Sequence, residues 1–584
     1  MKYQIRWLAI VVVILALVVI TLVVIRFRGR HPAGGQITIE FYNDWGGVST
    51  VEGSGWFAQI IQEQFNMTIN YLGSSEMEQL FQSRRAAGDL GDLIIFGTHR
   101  LREAVNEGLL MDITQLVENR MHYYPSQFPG AIDRARHLTL TDSIFALPIQ
   151  VSTQSSTNPN ISGTVPLSGA FLRQDAYMAV GAPTLNVMEN LLTVLADMQL
   201  AVPYTETGLR TYGFSLYSGL GDDTILYTAA AFATLVGGME RFSSTSFISF
   251  ENQLIESFLD DSGMYLRTLK LYFDANQAGI LDPASAFQSR QDVWDKFEQG
   301  AVLFSWWPWP GMQTFNTPGR VNQGIGYNFI PIMNQRIHHG YNVAPASPSG
   351  PNRINPSGPN RLDMVIGIGA NAEHPERIID FIDWMASPEG HQTIVAGPEG
   401  LTWVMVDGAP ALTDFGISAG VHTTRFNDIE VPAEWGGGMF NRGAWQGNIT
   451  VILDHYGREM NPVTGFPYSP RLWPVENAGG TRLQTEWAAR FGSNTPLDFV
   501  LDNNMIVTPP AVNFEMPMDS AEIRAMRDAI RPVLEEASWR MIFAADETEF
   551  FQIWMETQAR AYEMGWSYVF EHDSAAARYL FALQ

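Results

Sequence analysis

Residues 37–42 read Ile37-Thr38-Ile39-Glu40-Phe41-Tyr42, and residues 93–96 read Leu93-Ile94-Ile95-Phe96. The first run alternates apolar and polar, the pattern of a strand with one buried face. The second is apolar throughout, the pattern of a parallel strand buried on both faces. Between them, Trp56, Ile60, Ile61 and Phe65 recur at helical spacing, Met67 to Leu72 alternates again, and Met77 to Ala87 predicts a second helix closed by Gly88. This β-α-β-α-β order predicts a parallel sheet with helices on its faces. Such sheets bind ligands at the carboxyl ends of their strands. Those ends are Asn43-Asp44-Trp45 and Gly97-Thr98.

Upstream, Trp7 to Ile25 carries no charge, and Thr21 is its one polar residue. As a helix it would be ~28 Å long, close to the thickness of a bilayer's hydrocarbon core. A cleavable signal segment would have a shorter apolar core and small residues at its cleavage site. The longer run predicts an uncleaved membrane anchor. Basic residues flank both sides, so charge alone does not set its orientation.

Downstream, residues 175–199 read as helical around Pro183-Thr184, with Thr184 as the N-cap. Residues 292–300 predict a short helix and 301–305 a strand, followed by Trp306-Trp307-Pro308-Trp309-Pro310. Residues 344–361 are rich in Pro, Ser and Gly and contain one hexapeptide twice, which predicts a surface loop. Residues 364–368 read as a strand. Pro375 to Ser387 reads as a helix with Pro in its first turn and Pro388 just beyond its end. The chain from Met516 onward is mostly helical, with capping-box-like starts at Asp519/Glu522 and Asp546/Glu549, and Phe550/Phe551, Trp554/Met555 and Tyr562 are expected to form one stripe.

The chain has 584 residues, with 36 Lys and Arg against 61 Asp and Glu, a formal charge of −25. So acidic a body is a poor partner for nucleic acid, whose phosphates need clustered cations. Cysteine is absent, which excludes disulfides, thiol nucleophiles and Cys-ligated metals. None of the usual hydrolase, metalloprotease, phosphate-loop or dinucleotide motifs occurs. Asp502-Asn503-Asn504 and Asp222-Asp223 faintly resemble calcium ligands but lack EF-hand spacing, so a metal stays open. The aromatic clusters say more. Three indoles within four residues, interrupted by proline, cannot all face one core. A flat indole beside Asn, Asp and Gln suits a sugar, whose C–H face stacks while its hydroxyls take polar partners.

Several segments resemble the extracellular solute-binding proteins, family 1 type, of carbohydrate ABC transporters, particularly the lipoprotein-type sugar receptors. They are Gly88-Asp89-Leu90-Gly91-Asp92-Leu93-Ile94; Leu172-Arg173-Gln174-Asp175 with Gly181-Ala182-Pro183-Thr184; Phe297-Glu298-Gln299-Gly300-Ala301-Val302; His374-Pro375-Glu376-Arg377 to Ser387-Pro388-Glu389-Gly390; and Gly397-Pro398-Glu399-Gly400. They fall in family order between about residues 36 and 403. Gly91 stands where the family usually has proline, there is no lipobox cysteine, and residues 404–515 match nothing in the pattern. The resemblance implies an α/β, two-lobe periplasmic-binding-protein-like fold of type II, joined here to an N-terminal transmembrane helix and a helical C-terminus. Lobe one would hold residues 36–150 plus about 364–430, and lobe two residues 165–360. Residues 431–584 would form an insertion and helices packed on the lobes. It also implies hinge closure around a ligand.

The expected function is an extracytoplasmic receptor of an ABC importer. It would bind an oligosaccharide or sugar-like solute through Asn43, Asp44, Trp45, Thr98, Gln150, Trp306, Trp307, Trp309 and Trp403. It would be monomeric, partnered by permease subunits, held on the outer face of the cell membrane, without catalysis or cofactor. The competing readings are a membrane-tethered glycan-degrading enzyme and a ligand-sensing subunit that does not transport.

Overall fold

The computed structural model describes residues 34–43, 51–73, 77–139, 141–149, 151, 165–166, 168–217, 224–338, 364–421, 426–448, 459–470, 473, 480–507, 514, 516–517 and 519–583. Five strands, β1 (Ile37–Asn43), β2 (Val51–Glu52), β3 (Met67–Leu72), β4 (Leu93–Gly97) and β5 (Ala146–Pro148), build the first sheet with a return strand, Met364–Ile368. Its order is β2-β3-β1-β4-return-β5. β1 lies parallel to β3, with Ile37 opposite Met67, and parallel to β4, with Asn43 opposite Ile95. The return strand is antiparallel to both neighbours, with Met364 opposite Gly97 and Val365 opposite Pro148. The fully apolar β4 is buried at every position, as its composition requires.

The flanking helices follow from spacing and punctuation. Helix Gly55–Phe65 buries Trp56, Phe57, Ile61 and Phe65 and stops at Asn66, which takes a left-handed conformation (φ 47°). Helix Pro375–Ala386 buries Ile378, Ile379, Phe381, Ile382 and Met385. Ser387 ends it and caps the next helix, Pro388–Ala396, accepting from the Gly390 amide at 3.0 Å. The two helices turn so tightly that a Cβ on Gly390 would sit 1.9 Å from the Trp384 carbonyl oxygen, so only glycine fits.

The apolar residues form two principal cores. One gathers residues from Ile37 to Val151 and from Met364 to Ala444. The other gathers residues from Ala170 to Ile337 and from Trp487 to Val569. The chain therefore passes between them three times, after Val151, after Ile337 and between Trp473 and Trp487. In the second half, strand Phe171–Arg173 lies between Phe304–Ser305 and Tyr327–Phe329, antiparallel to both. The last three helices, Ala521–Ile542, Glu547–Glu563 and Trp566–Ala582, close this second core. The result is an α/β two-lobe, periplasmic-binding-protein-like fold with a helical C-terminus.

Four local expectations are corrected. Thr184 does not cap a helix. The region splits into Gln174–Ala179 and Asn190–Ala201, with Glu189 at the second N-cap, and the Thr184 hydroxyl accepts instead from Arg490 at 3.2 Å. Ser520, not Asp519, caps Ala521–Ile542, because the Asp519 carboxylate is taken by Arg527. The strand expected over 301–305 is shortened to Phe304–Ser305. The aromatic stripe on Glu547–Glu563 is divided. Phe550 and Trp554 are buried, while Phe551, Met555 and Tyr562 are exposed. The expected anchor, Trp7–Ile25, and the loop at 344–361 lie outside the described residues. Among the described residues no helix is long and apolar enough to cross a membrane.

Candidate functional site

The first sheet brings its candidates to one edge. Asn43 is the last residue of β1 and is buried. Thr98 opens the helix Thr98–Asn106 directly after β4, behind the extended residue Gly97. Parallel register puts both at the carboxyl edge of the sheet, where an open α/β sheet presents its crevice. β5 ends at the same edge. The Pro148 carbonyl accepts from the Tyr124 hydroxyl at 2.5 Å, and the Ile149 amide donates to the Met364 carbonyl at 3.1 Å. These bonds fasten two of the chain's crossing points side by side. Asp44, Trp45 and Gln150 lie outside the described residues.

The tryptophan cluster is sorted by local geometry. The strand stops at Ser305, whose hydroxyl accepts from the Trp307 amide and donates to the Trp307 carbonyl. Trp307 is the extended N-cap of helix Pro308–Phe315, and Pro308 occupies its first turn, where a missing N–H costs nothing. That helix lies against Tyr327 so closely that a Cβ on Gly311 would be 2.6 Å from the Tyr327 ring. Trp306, before the turn, enters the core. It is 3% exposed, meets Phe304 edge-on at 4.8 Å, and donates from Nε1 to the Tyr272 hydroxyl at 3.0 Å. Burial pushes the Tyr272 phenol well above its usual range, so it stays protonated. Trp307 and Trp309 instead stack on each other, with centroids 5.4 Å apart and planes 12° from parallel. Trp309 is half-buried.

Trp403 lies elsewhere, in strand Trp403–Val406 of the first half. Its Nε1 donates to the Gly397 carbonyl at 3.0 Å, and its ring meets Trp473 at 5.6 Å. The structure thus assembles Asn43 with Thr98 on one half and Trp307 with Trp309 on the other, with Trp403 in a packed interior; the expectation that the three clustered indoles could not share one core is corrected, since Trp306 and Trp307 both belong to the second core and Trp309 packs against it. Asp502 and Asn503 finish helix Pro496–Asp502, and Asn503 donates to the Phe499 carbonyl at 2.8 Å. Among the described residues no group of three metal-ligating side chains occurs.

One buried network that sequence reading missed supports the second half of the site. Asp282 accepts from Ser215 at 2.7 Å and Lys296 at 2.6 Å, and Lys296 also donates to Gln288. It fixes the segment Phe214–Leu216 ahead of the helix Thr224–Gly237. Burial alone would raise the Asp282 carboxyl, but the hydrogen bonds from Lys296 and Ser215 outweigh it and hold the group below its ordinary value of 3.8. A depressed folded-state value means stabilisation that is complete above the ordinary value and is lost as pH falls through the folded one. The thermal-stability gap between wild type and Asp282→Asn should therefore be wide at pH 7 and should narrow below about pH 4. An equal gap at both pH values would contradict this account.

No family model and no curated protein matches the sequence. Solved structures do match the fold. The chain is similar to the alginate-binding protein AlgQ2, in its structure without calcium ion, at 14% identity and TM-score 0.59, covering 94% of this chain and 99% of that one. It is similar to the ABC-transporter substrate-binding protein FusA of S. pneumoniae in complex with kestose, at 13% identity and TM-score 0.56, covering 94% and 100%. It is also similar to an HMO-binding, ABC-transporter-associated solute-binding protein from Bifidobacterium longum infantis, at 12% identity and TM-score 0.52, covering 94% and 100%. At these identities the likeness establishes the two-lobe architecture.

Proposed function

We propose that this protein is an extracytoplasmic receptor that holds an oligosaccharide or sugar-like solute between its lobes and delivers it, unaltered, to the permease subunits of an ABC importer. Lobe one comprises residues 36–150 with about 364–430. Lobe two comprises residues 165–360, and the C-terminal helices pack with it. Residues 7–25 tether the body to the outer face of the membrane.

The observation that carries this reading is the stacked Trp307–Trp309 pair, placed where a strand ends and a helix begins. Its half-buried outer ring offers an apolar plane to a sugar's C–H face. Asn43 and Thr98, with Asp44, Trp45 and Gln150, supply the polar and stacking contacts from lobe one. The end-to-end likeness to FusA and AlgQ2 supports the same reading, since those proteins are described as binding kestose and alginate.

Calorimetric titration of the full chain in mild detergent with kestose and alginate oligosaccharides tests it. Trp309→Ala should weaken binding by about 1–3 kcal/mol, the usual cost of losing an aromatic hot spot. Wild-type affinity in that variant would remove the site assignment. Release of new reducing ends from the sugar would replace the receptor with an enzyme.

A further inference from the structure

Among the described residues the buried indoles are of two kinds. Trp56, Trp306, Trp403 and Trp487 each donate Nε1–H to an oxygen, at Phe440, Tyr272, Gly397 and Phe329 respectively. Hydrogen bonding and packing together fix those rings. Trp307 differs. It is 7% exposed, and its buried Nε1 has no hydrogen-bond partner. An unpaired buried N–H is a cost to folding, and it leaves the ring's orientation to its neighbours. Those neighbours are two other rings. Trp309 stacks on it at 5.4 Å and 12°, and Tyr227 packs on it at 4.6 Å and 35°. The order is Tyr227, Trp307, Trp309.

Tyr227 stands in the first turn of helix Thr224–Gly237. Ile225, Ala229, Ala230 and Ala233 of that helix are buried in the second core, so the base of the column is firmly seated. Trp309 stands in the first turn of a different helix, at the column's other end. The middle ring touches both other rings, is 7% exposed and has little surface to give a ligand. The outer ring is half-buried and keeps part of its surface accessible.

Granting the receptor reading, we propose that Tyr227 is a positioning residue for the ligand platform: Tyr227, Trp307 and Trp309 act as one column in which Trp309 presents the binding face and Tyr227 sets its angle. The hydroxyl of Tyr227 is not needed for this; the ring is. Offset aromatic pairs depend on ring area and separation, so an aliphatic replacement lets Trp307 tilt and carries Trp309 with it.

The test uses the full-length chain in mild detergent, with two readouts. Near-ultraviolet circular dichroism reports the coupling of the two stacked indoles, and calorimetry with kestose and an alginate trisaccharide reports affinity. Tyr227→Leu should change the indole signal without ligand and weaken binding about two- to tenfold, the range that one aromatic pair is worth. Tyr227→Phe should restore both. If Tyr227→Leu keeps the wild-type spectrum and affinity, the column is wrong while the receptor reading stands. If the wild type binds neither sugar, the receptor reading loses its support, and the spectrum of Tyr227→Leu alone still decides whether the column exists.

Discussion

Replacing Arg527 with methionine should destabilise the protein by about 3–5 kcal/mol, the cost of stripping the partner from a buried charge. A guanidinium has five N–H donors, and all five are used here. Nε and Nη2 donate to the two Asp519 oxygens at 2.8 and 3.0 Å. Nη1 and Nη2 donate to the two Asp573 oxygens at 3.0 and 2.8 Å, and Nη1 also donates to Ser244 at 2.8 Å. Asp573 is fully buried and receives a further bond from Thr245. The Asp573 and Asp519 carboxylates push the guanidinium further above its already high range, although burial opposes them. One side chain therefore joins a strand turn, the approach to helix Ala521–Ile542 and the helix Trp566–Ala582. Arg527→Lys keeps the charge but has three donors in a different geometry, so it should fall between. The double variant Arg527→Met with Asp573→Leu should recover much of the loss, because the fully buried charge is then gone and only the partly exposed Asp519 carboxylate loses its partner. Urea denaturation followed by circular dichroism gives these values. A change below about 0.5 kcal/mol in Arg527→Met, the range of an ordinary surface substitution, would refute the clamp.

Asp383→Ala should cost about 2–4 kcal/mol and, under the proposed function, should also weaken sugar binding. The Asp383 carboxylate, on helix Pro375–Ala386, is 5% exposed. It accepts the backbone amides of His122, Tyr123 and Tyr124 at 2.8, 2.9 and 2.9 Å. These are the otherwise unpaired donors at the start of the short helix Tyr123–Gln127. Without the carboxylate they are left unpaired. Tyr124 then loses its seat, and with it the bond to the Pro148 carbonyl, two residues before Gln150. Asp383→Asn keeps one acceptor oxygen and should retain part of both properties. Hydrogen exchange at residues 122–124 should accelerate sharply in the alanine variant. Unchanged protection there, or unchanged sugar affinity in a folded Asp383→Ala protein, would break the link between this cap and the crossing.

How much of this was legible beforehand follows the range of the interactions. The strands at 37–43, 67–72 and 93–97 and their helices were readable because their periodicity is local. The antiparallel return strand pairs with residues more than 200 positions earlier, and no local pattern announces its direction. Thr184 was misread as a cap because its hydroxyl serves Arg490, some 300 residues on. The three clustered indoles were visible as a group, but their division depends on where the helix begins. Trp306 and Trp307, the two residues before Pro308, both enter the second core, and Trp307 also stacks on the half-buried Trp309. Tyr227 gave no signal at all, since it sits in a run that is apolar on every face. Asp383 carries no local mark either, since the amides it caps lie some 260 residues earlier.

Because the backbone threads to and fro between the two cores, neither is a contiguous stretch of sequence, and this orders events in time. A polypeptide emerging N-terminus first must leave the earlier half unsealed while the next is made. Its opening sheet waits for the strand at 364–368. The second core stays gaping until Trp566 and Asp573 arrive at the far tail. Such a molecule matures late and all at once, so stalled synthesis or tail clipping yields not a smaller working part but exposed, sticky interior on the second half.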